Sequence, residues 1–195
     1  MMFKIKNRIV DNINELKMLT IDTFNAECPN ISGYISVTID EHKFGFFHEH
    51  PIRPDEIGYE WINWWLKYFL RCAHDISRTK YTAFCMPESS HIWLEFEMAD
   101  DIIVFNKAIT KSSIIEKPLL NGQYIEDYIV EKFNGFSYVE PIGSSIAFHD
   151  FLREIINATK IFLDELELLC PYLMDSNMVK DMSRLLKMVE HGLKE

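Results

Sequence analysis

The chain is poor in glycine and proline, with 7 of each in 195 residues. That scarcity argues against long flexible linkers, and no internal repeat or low-complexity run is present. No apolar run approaches the roughly 20 residues that span a bilayer. The opening Met1-Met2-Phe3-Lys4-Ile5-Lys6 carries charge with no apolar core behind it, unlike a secretory signal. Four cysteines, Cys28, Cys72, Cys85 and Cys170, contain no Cys-x-x-Cys spacing. Three of them lie in apolar stretches, where free cysteine acts as a small hydrophobe. A reducing cytoplasm is therefore the expected setting.

The signatures of several chemistries are missing too. There is no Gly-x-Ser-x-Gly elbow, no cysteine with a recognisable histidine partner and no phosphate-cradling glycine loop. Positive charge is scarce: 20 Lys and Arg stand against 30 Asp and Glu, a net charge of −10. Phosphate backbones and anionic membrane surfaces repel such a chain, so neither nucleic acid nor membrane is an expected partner. No cofactor is expected.

What is present reads as one α+β domain. A length of 195 residues suits one domain with an appended element: residues 1–170 as the domain, 171–195 as an added amphipathic helix. The chain is organised around His91 to Met98 and its return Ile102 to Ile109. Ile92, Leu94, Phe96 and Met98 alternate with His91, Trp93, Glu95 and Glu97, the period of a strand. The register of the return is open. A two-residue turn buries Ile103 and Phe105; a three-residue turn buries Ile102 and Val104.

A second hairpin, Tyr34 to Ile39 and Phe44 to Phe47, is expected around the loop Asp40 to Lys43, placing Ile39 opposite Phe44 and Val37 opposite Phe46. Phe3 to Lys6 is an edge-strand candidate. Cys28-Pro29-Asn30 and Gly33 mark a turn. Gly45 suggests a close approach to the backbone. Tyr59 to Ser77 switches to helical spacing, with Ile62, Trp65, Leu66, Phe69, Cys72, Ala73 and Ile76 on one stripe and Glu60, Asn63, Lys67, Arg71 and His74 on a polar strip. Lys80 to Met86 is another strand. Tyr124 to Phe133 suggests a short helix and Ser137 to Ile142 a last strand. A helix capped by Ser144 or Ser145 runs to Cys170-Pro171, and a final one starts at Asp175 or Ser176. The predicted order is β-β-α-β-β-β-α-α, an antiparallel sheet packed by helices.

Three constellations carry possible chemistry. His48 and His50 form a His-x-His pair without a third or fourth ligand, and Cys72 and His74 point to different helix faces, so no metal is expected. His91, Glu95 and Glu97 share a strand face; paired carboxylates do acid–base work when burial separates their pKa values. That face supports an alternative function, a small-molecule binder or hydrolase-like enzyme. Third, Tyr81 to Asn106 holds no lysine or arginine but holds Glu88, Glu95, Glu97, Asp100 and Asp101. Upstream, Asp55 and Glu56 add to the acidity. A shared acidic face built from these residues speeds encounter with a basic protein. A structural subunit docking through the last helix is a further alternative.

Gly33 to Asp40, Phe44-Gly-Phe-Phe47, Trp64-Trp-Leu66 with Phe69, Tyr81 with Ala83, Ile92-Trp-Leu-Glu-Phe96 and the helix around Phe151 to Phe162 together resemble a family. It is the uncharacterised immunity-type proteins associated with polymorphic toxin systems of Gram-positive bacteria. The resemblance covers roughly residues 33 to 165 and rests on strand and core residues. It implies a non-catalytic protein that neutralises a cognate toxin, and it transfers no catalytic residue.

Overall fold

The computed structural model describes residues 2–11, 13–27, 29–50, 58–87, 89, 91–110 and 127–193. The fold is α+β, and the strands form two antiparallel sheets rather than one. The first holds β1 (Phe3–Ile9), β2 (Ser32–Ile39) and β3 (His42–Phe46) in that order, with β4 (Glu60–Trp61) added to the start of β2. Two short helices, α1 (Ile13–Leu16) and α2 (Ile21–Glu27), lie between β1 and β2. Helix α3 (Ile62–Thr79) leads to the second sheet. That sheet contains β5 (Tyr81–Cys85), β6 (Ile92–Ala99), β7 (Ile102–Ile109), β8 (Tyr128–Ile129) and β9 (Ser137–Ala147), ordered β8-β5-β6-β7-β9. Helices α4 (Phe148–Leu169) and α5 (Asn177–Gly192) follow, joined by a 3-10 turn at Pro171–Asp175.

Both hairpins turn on two residues. In the β6–β7 hairpin Ala99 pairs with Ile102, so Asp100-Asp101 is the loop. This register buries Ile103 and Phe105 completely and leaves Ile102 42% exposed. In the β2–β3 hairpin Ile39 pairs with His42 and Val37 with Phe44, so the expected four-residue loop is really Asp40-Glu41. The slip is two residues, which preserves the facing of every side chain because the strand period is two. Each loop begins with an aspartate in the left-handed region, Asp40 at φ 55° and Asp100 at φ 53°. Aspartate tolerates that conformation better than most residues because its short side chain bonds locally.

Gly33 does not mark a turn. It sits inside β2, where an added Cβ would lie 2.3 Å from the Arg8 carbonyl oxygen and 2.4 Å from Ile62 Cδ1. Gly45 has φ +71°, and its close neighbour is the Ile35 carbonyl of the adjacent strand.

α3 runs through the centre of the core. Ile62, Trp65, Leu66, Phe69, Leu70, Cys72 and Ile76 are fully buried. Two members of the expected polar strip are buried as well. Asn63 Oδ1 accepts from the Ile31 amide at 2.8 Å, and Glu60 Oε2 accepts from Trp65 Nε1 at 3.0 Å. The helix stops at Lys80, a left-handed residue whose amide bonds the Ile76 carbonyl.

α4 covers the outer edge of β1, which would otherwise offer unpaired amides. Glu154 Oε1 accepts from the Ile5 amide at 2.8 Å and Glu165 Oε2 from the Ile9 amide at 3.0 Å. Between them Asn7 Nδ2 donates to the Ala158 carbonyl at 3.0 Å. The expected serine cap of α4 is absent: Ser144 and Ser145 pair with Phe105 and Val104 inside β9. The helix starts instead at Phe148, whose amide bonds the Asp101 carbonyl at 2.8 Å. Ser176 does cap α5, accepting from the Val179 amide. The expected helix over 124–133 is replaced, in its described part, by β8 and turns; residues 124–126 lie outside the described residues.

α5 packs its apolar face into the core. Val179, Met182, Leu186 and Val189 are buried in the same apolar cluster as α3 and α4.

Candidate functional site

The alternation of β6 predicts an outer face of His91, Trp93, Glu95 and Glu97. The structure covers much of that face. Trp93 and Glu95 are both fully buried. A second, smaller apolar cluster of Tyr81, Ala83, Cys85, Trp93, Ala108 and Ile129 forms there, packed by Phe133 and Phe136. The Trp93 ring lies 5.6 Å from that of Phe136, and its Nε1 donates to Thr110 Oγ1 at 3.1 Å.

Inside this layer Glu95 has three donors. Tyr81 and Tyr138 hydroxyls donate to Oε1 at 2.9 and 3.1 Å, and Asn106 Nδ2 donates to Oε2 at 2.9 Å. Asn106 is itself held, because its Oδ1 accepts from the Gly143 amide at 2.8 Å. Burial, then the Glu95 charge, pushes both tyrosine hydroxyls above their ordinary range. They therefore remain donors. Both Glu95 oxygens accept hydrogen bonds and the side chain is fully buried, the environment of a structural acceptor.

The remaining acidic residues separate. Glu97 is part-exposed and ion-paired to Lys132 at 2.7 Å. That hydrogen bond is the main cause of the raised Lys132 pKa. His91 stands exposed just before β6. Asp100 and Asp101 are exposed at the hairpin tip. Asp55, Glu56 and Glu88 lie outside the described residues. Glu95 is therefore no component of an exposed acidic surface, and Glu97 is partly neutralised there.

The fold supplies different companions for Asp100 and Asp101. The first amide of α4 bonds Asp101, and Phe151 in the next turn packs on Phe3 with rings 5.1 Å apart. Phe3 pairs with Ile39, and the Met2 amide donates to Asp40 Oδ1 at 3.2 Å. The two aspartate-led turns thus share one end of the molecule. That end carries Asp40, Glu41, Asp100 and Asp101, with Lys4, Lys43 and Lys80 among the cations on the adjoining strand and helix ends. Asp150 nearby is paired to Arg153 at 2.6 Å. Asp40 and Glu41 escape a reading of the sequence by local charge density. The detectable signal was their turn chemistry, which matches that of Asp100-Asp101.

No group of three or more His, Cys, Asp or Glu side chains is placed to hold a metal among the described residues. The His48 and His50 rings lie 5.8 Å apart, with His48 packed edge-on against Tyr34. Cys72 bonds Thr82 Oγ1, while His74 Nδ1 bonds Asp75 Oδ1, so the two diverge as expected. Cys72, Cys85 and Cys170 are buried free thiols; burial pushes Cys85 up to about 12, which leaves it unreactive. No helix among the described residues is long and apolar enough to cross a membrane. No protein-family model, curated protein or solved structure matches the chain.

Proposed function

We propose that this is a non-catalytic protein-binding protein of the immunity type, which neutralises a basic toxin domain in the cytoplasm. The observation that carries the reading is the placement of two aspartate-led turns, Asp40-Glu41 and Asp100-Asp101, at one end of the fold, with Glu41, Asp100 and Asp101 exposed and Asp40 half-buried. The three exposed carboxylates on these hairpin tips present a negative surface, which accelerates association with a basic active site and then occludes it. The occupied, enclosed carboxylate of Glu95 argues for binding over acid–base chemistry. The apolar face of α5 is used inside its own core, which argues against assembly through that helix.

The test is the association rate with the basic product of an adjacent reading frame, measured at two salt concentrations. Glu41→Lys with Asp101→Lys should slow association and flatten its salt dependence, because ions screen exposed charges beyond roughly 10 Å at 0.1 M. Asp100 is left alone in this variant, since a lysine at its positive φ would add strain. An unchanged rate would remove this end from the interface. No binding by the native protein would end the immunity reading.

A further inference from the structure

We propose that the cleft between α3 and α5 binds a small organic anion carrying a flat ring. The ring would lie on Trp64 and the anionic group between Lys67 and Arg71. The cleft measures about 350 Å³ and is walled by Trp64, Lys67, Tyr68 and Arg71 from α3, Asp181 from α5 and Asn30. Small-molecule sites occupy roughly 300–1,000 Å³ and combine apolar walls with few polar groups.

Its charge is the informative feature. Lys67 and Arg71 are four residues apart on α3, so their side chains emerge on one face. Arg71 is held with its guanidinium carbon 4.1 Å from the centroid of the Tyr128 ring, a contact that orients the cation without neutralising it. Lys67 has no hydrogen bond or ion pair among the described residues. The acids nearby have other partners: Asp181 pairs with Arg184 at 3.5 Å, Asp75 pairs with Arg78 at 3.0 Å and accepts from the Tyr128 hydroxyl, and Asp127 accepts from the Tyr68 hydroxyl. Two cations thus face one cleft in a chain of net charge −10. The aromatic wall is preorganised as well. Trp64 Nε1 donates to Asn30 Oδ1 at 2.6 Å, which fixes an indole that remains 37% exposed. Asn177 and Met178 bring the first turn of α5 to the same cleft, adding the positive end of its dipole.

The anionic group can be a phosphate or a carboxylate, and calorimetry on the full chain separates them. AMP and benzoate are the ring-bearing probes; adenosine and inorganic phosphate are the controls lacking one half. Binding of either ring-bearing anion is expected, weakened roughly tenfold by Lys67→Ala and restored by Lys67→Arg. AMP alone binding assigns a phosphate, and benzoate alone a carboxylate. Lys67 is exposed, so its variants should fold as the native chain does, which circular dichroism checks. Failure of both ring-bearing probes overturns the proposal. So does binding that ignores Lys67→Ala, or adenosine or phosphate binding as tightly as AMP.

Discussion

Glu95 and Glu97 are two residues apart on one strand face, yet removing them should have different consequences. Glu95→Ala leaves the Tyr81 and Tyr138 hydroxyls and the Asn106 amide without their acceptor. Stranding the buried Tyr81 and Asn106 donors and opening a cavity should cost about 3 kcal/mol. Glu97→Ala breaks one part-exposed pair with Lys132 and should cost no more than about 0.5 kcal/mol. Phe96→Ala, at a fully buried ring packed on Phe69, Phe105 and Phe151, should cost about 3–5 kcal/mol. Denaturant midpoints rank the three variants; equal losses for Glu95 and Glu97 would contradict the covered second face. Asp75 supplies a pH dependence. Burial alone would raise its pKa, but hydrogen bonds from His74, Tyr128 and Arg78 bring it below the ordinary 3.8. A depressed carboxylate stabilises the fold above its unfolded pKa, and that stability is lost as the pH falls through the folded value. Asp75→Asn should therefore be less stable than the native protein at neutral pH. The gap should close under acid conditions below 3.8, as read from urea melts across that range.

At the scale of elements, the contact between α4 and β1 shows how an edge strand is protected by side chains. Outward amides of a strand recur every second residue, and Glu154 and Glu165 meet those of Ile5 and Ile9. Glu165→Ala should cost about 1 kcal/mol, the usual net worth of one such bond. Exchange of the Ile9 amide should quicken more than that of Ile5, which hydrogen-exchange NMR resolves. At the other end of the chain, Ser176→Ala removes the cap of α5 and should also cost about 1 kcal/mol.

For the whole molecule, the shared core makes the two sheets and the last helices one cooperative unit. Val179, Met182, Leu186 and Val189 pack into the cluster that also contains Phe69, Phe96 and Phe151. Each buried side chain of this size contributes roughly 1.5–3 kcal/mol. Together they approach or exceed the total stability of a typical domain, about 5–15 kcal/mol. A chain ending at Cys170 should therefore fail to fold, with loss of near-ultraviolet circular dichroism and dispersed NMR signals. A truncated chain that kept a sharp thermal transition would make α5 the appendage its position in the sequence suggests.

Local pattern was enough for the α+β class, the β6–β7 hairpin, the apolar stripe of α3 and the long run of α4, because each rests on a period that neighbouring residues share. The start of α5 was narrowed to Asp175 or Ser176, and the structure places the cap at Ser176. What lay beyond local pattern was decided by packing between distant segments. Trp93 and Glu95 alternate as an outer face should, but residues 129–138 return to cover them. Nothing near β6 encodes that return. Asp40 and Asp100 lie at one end only because β1 and α4 bridge the two hairpins. The register slip in the first hairpin preserved facing and changed only partners, since a two-residue shift is invisible to alternation. Sequence periodicity thus determined which face of each element is apolar. The tertiary structure decided what lies against the other face, because burial of a polar side chain depends on whether a remote segment brings the hydrogen bonds that permit it.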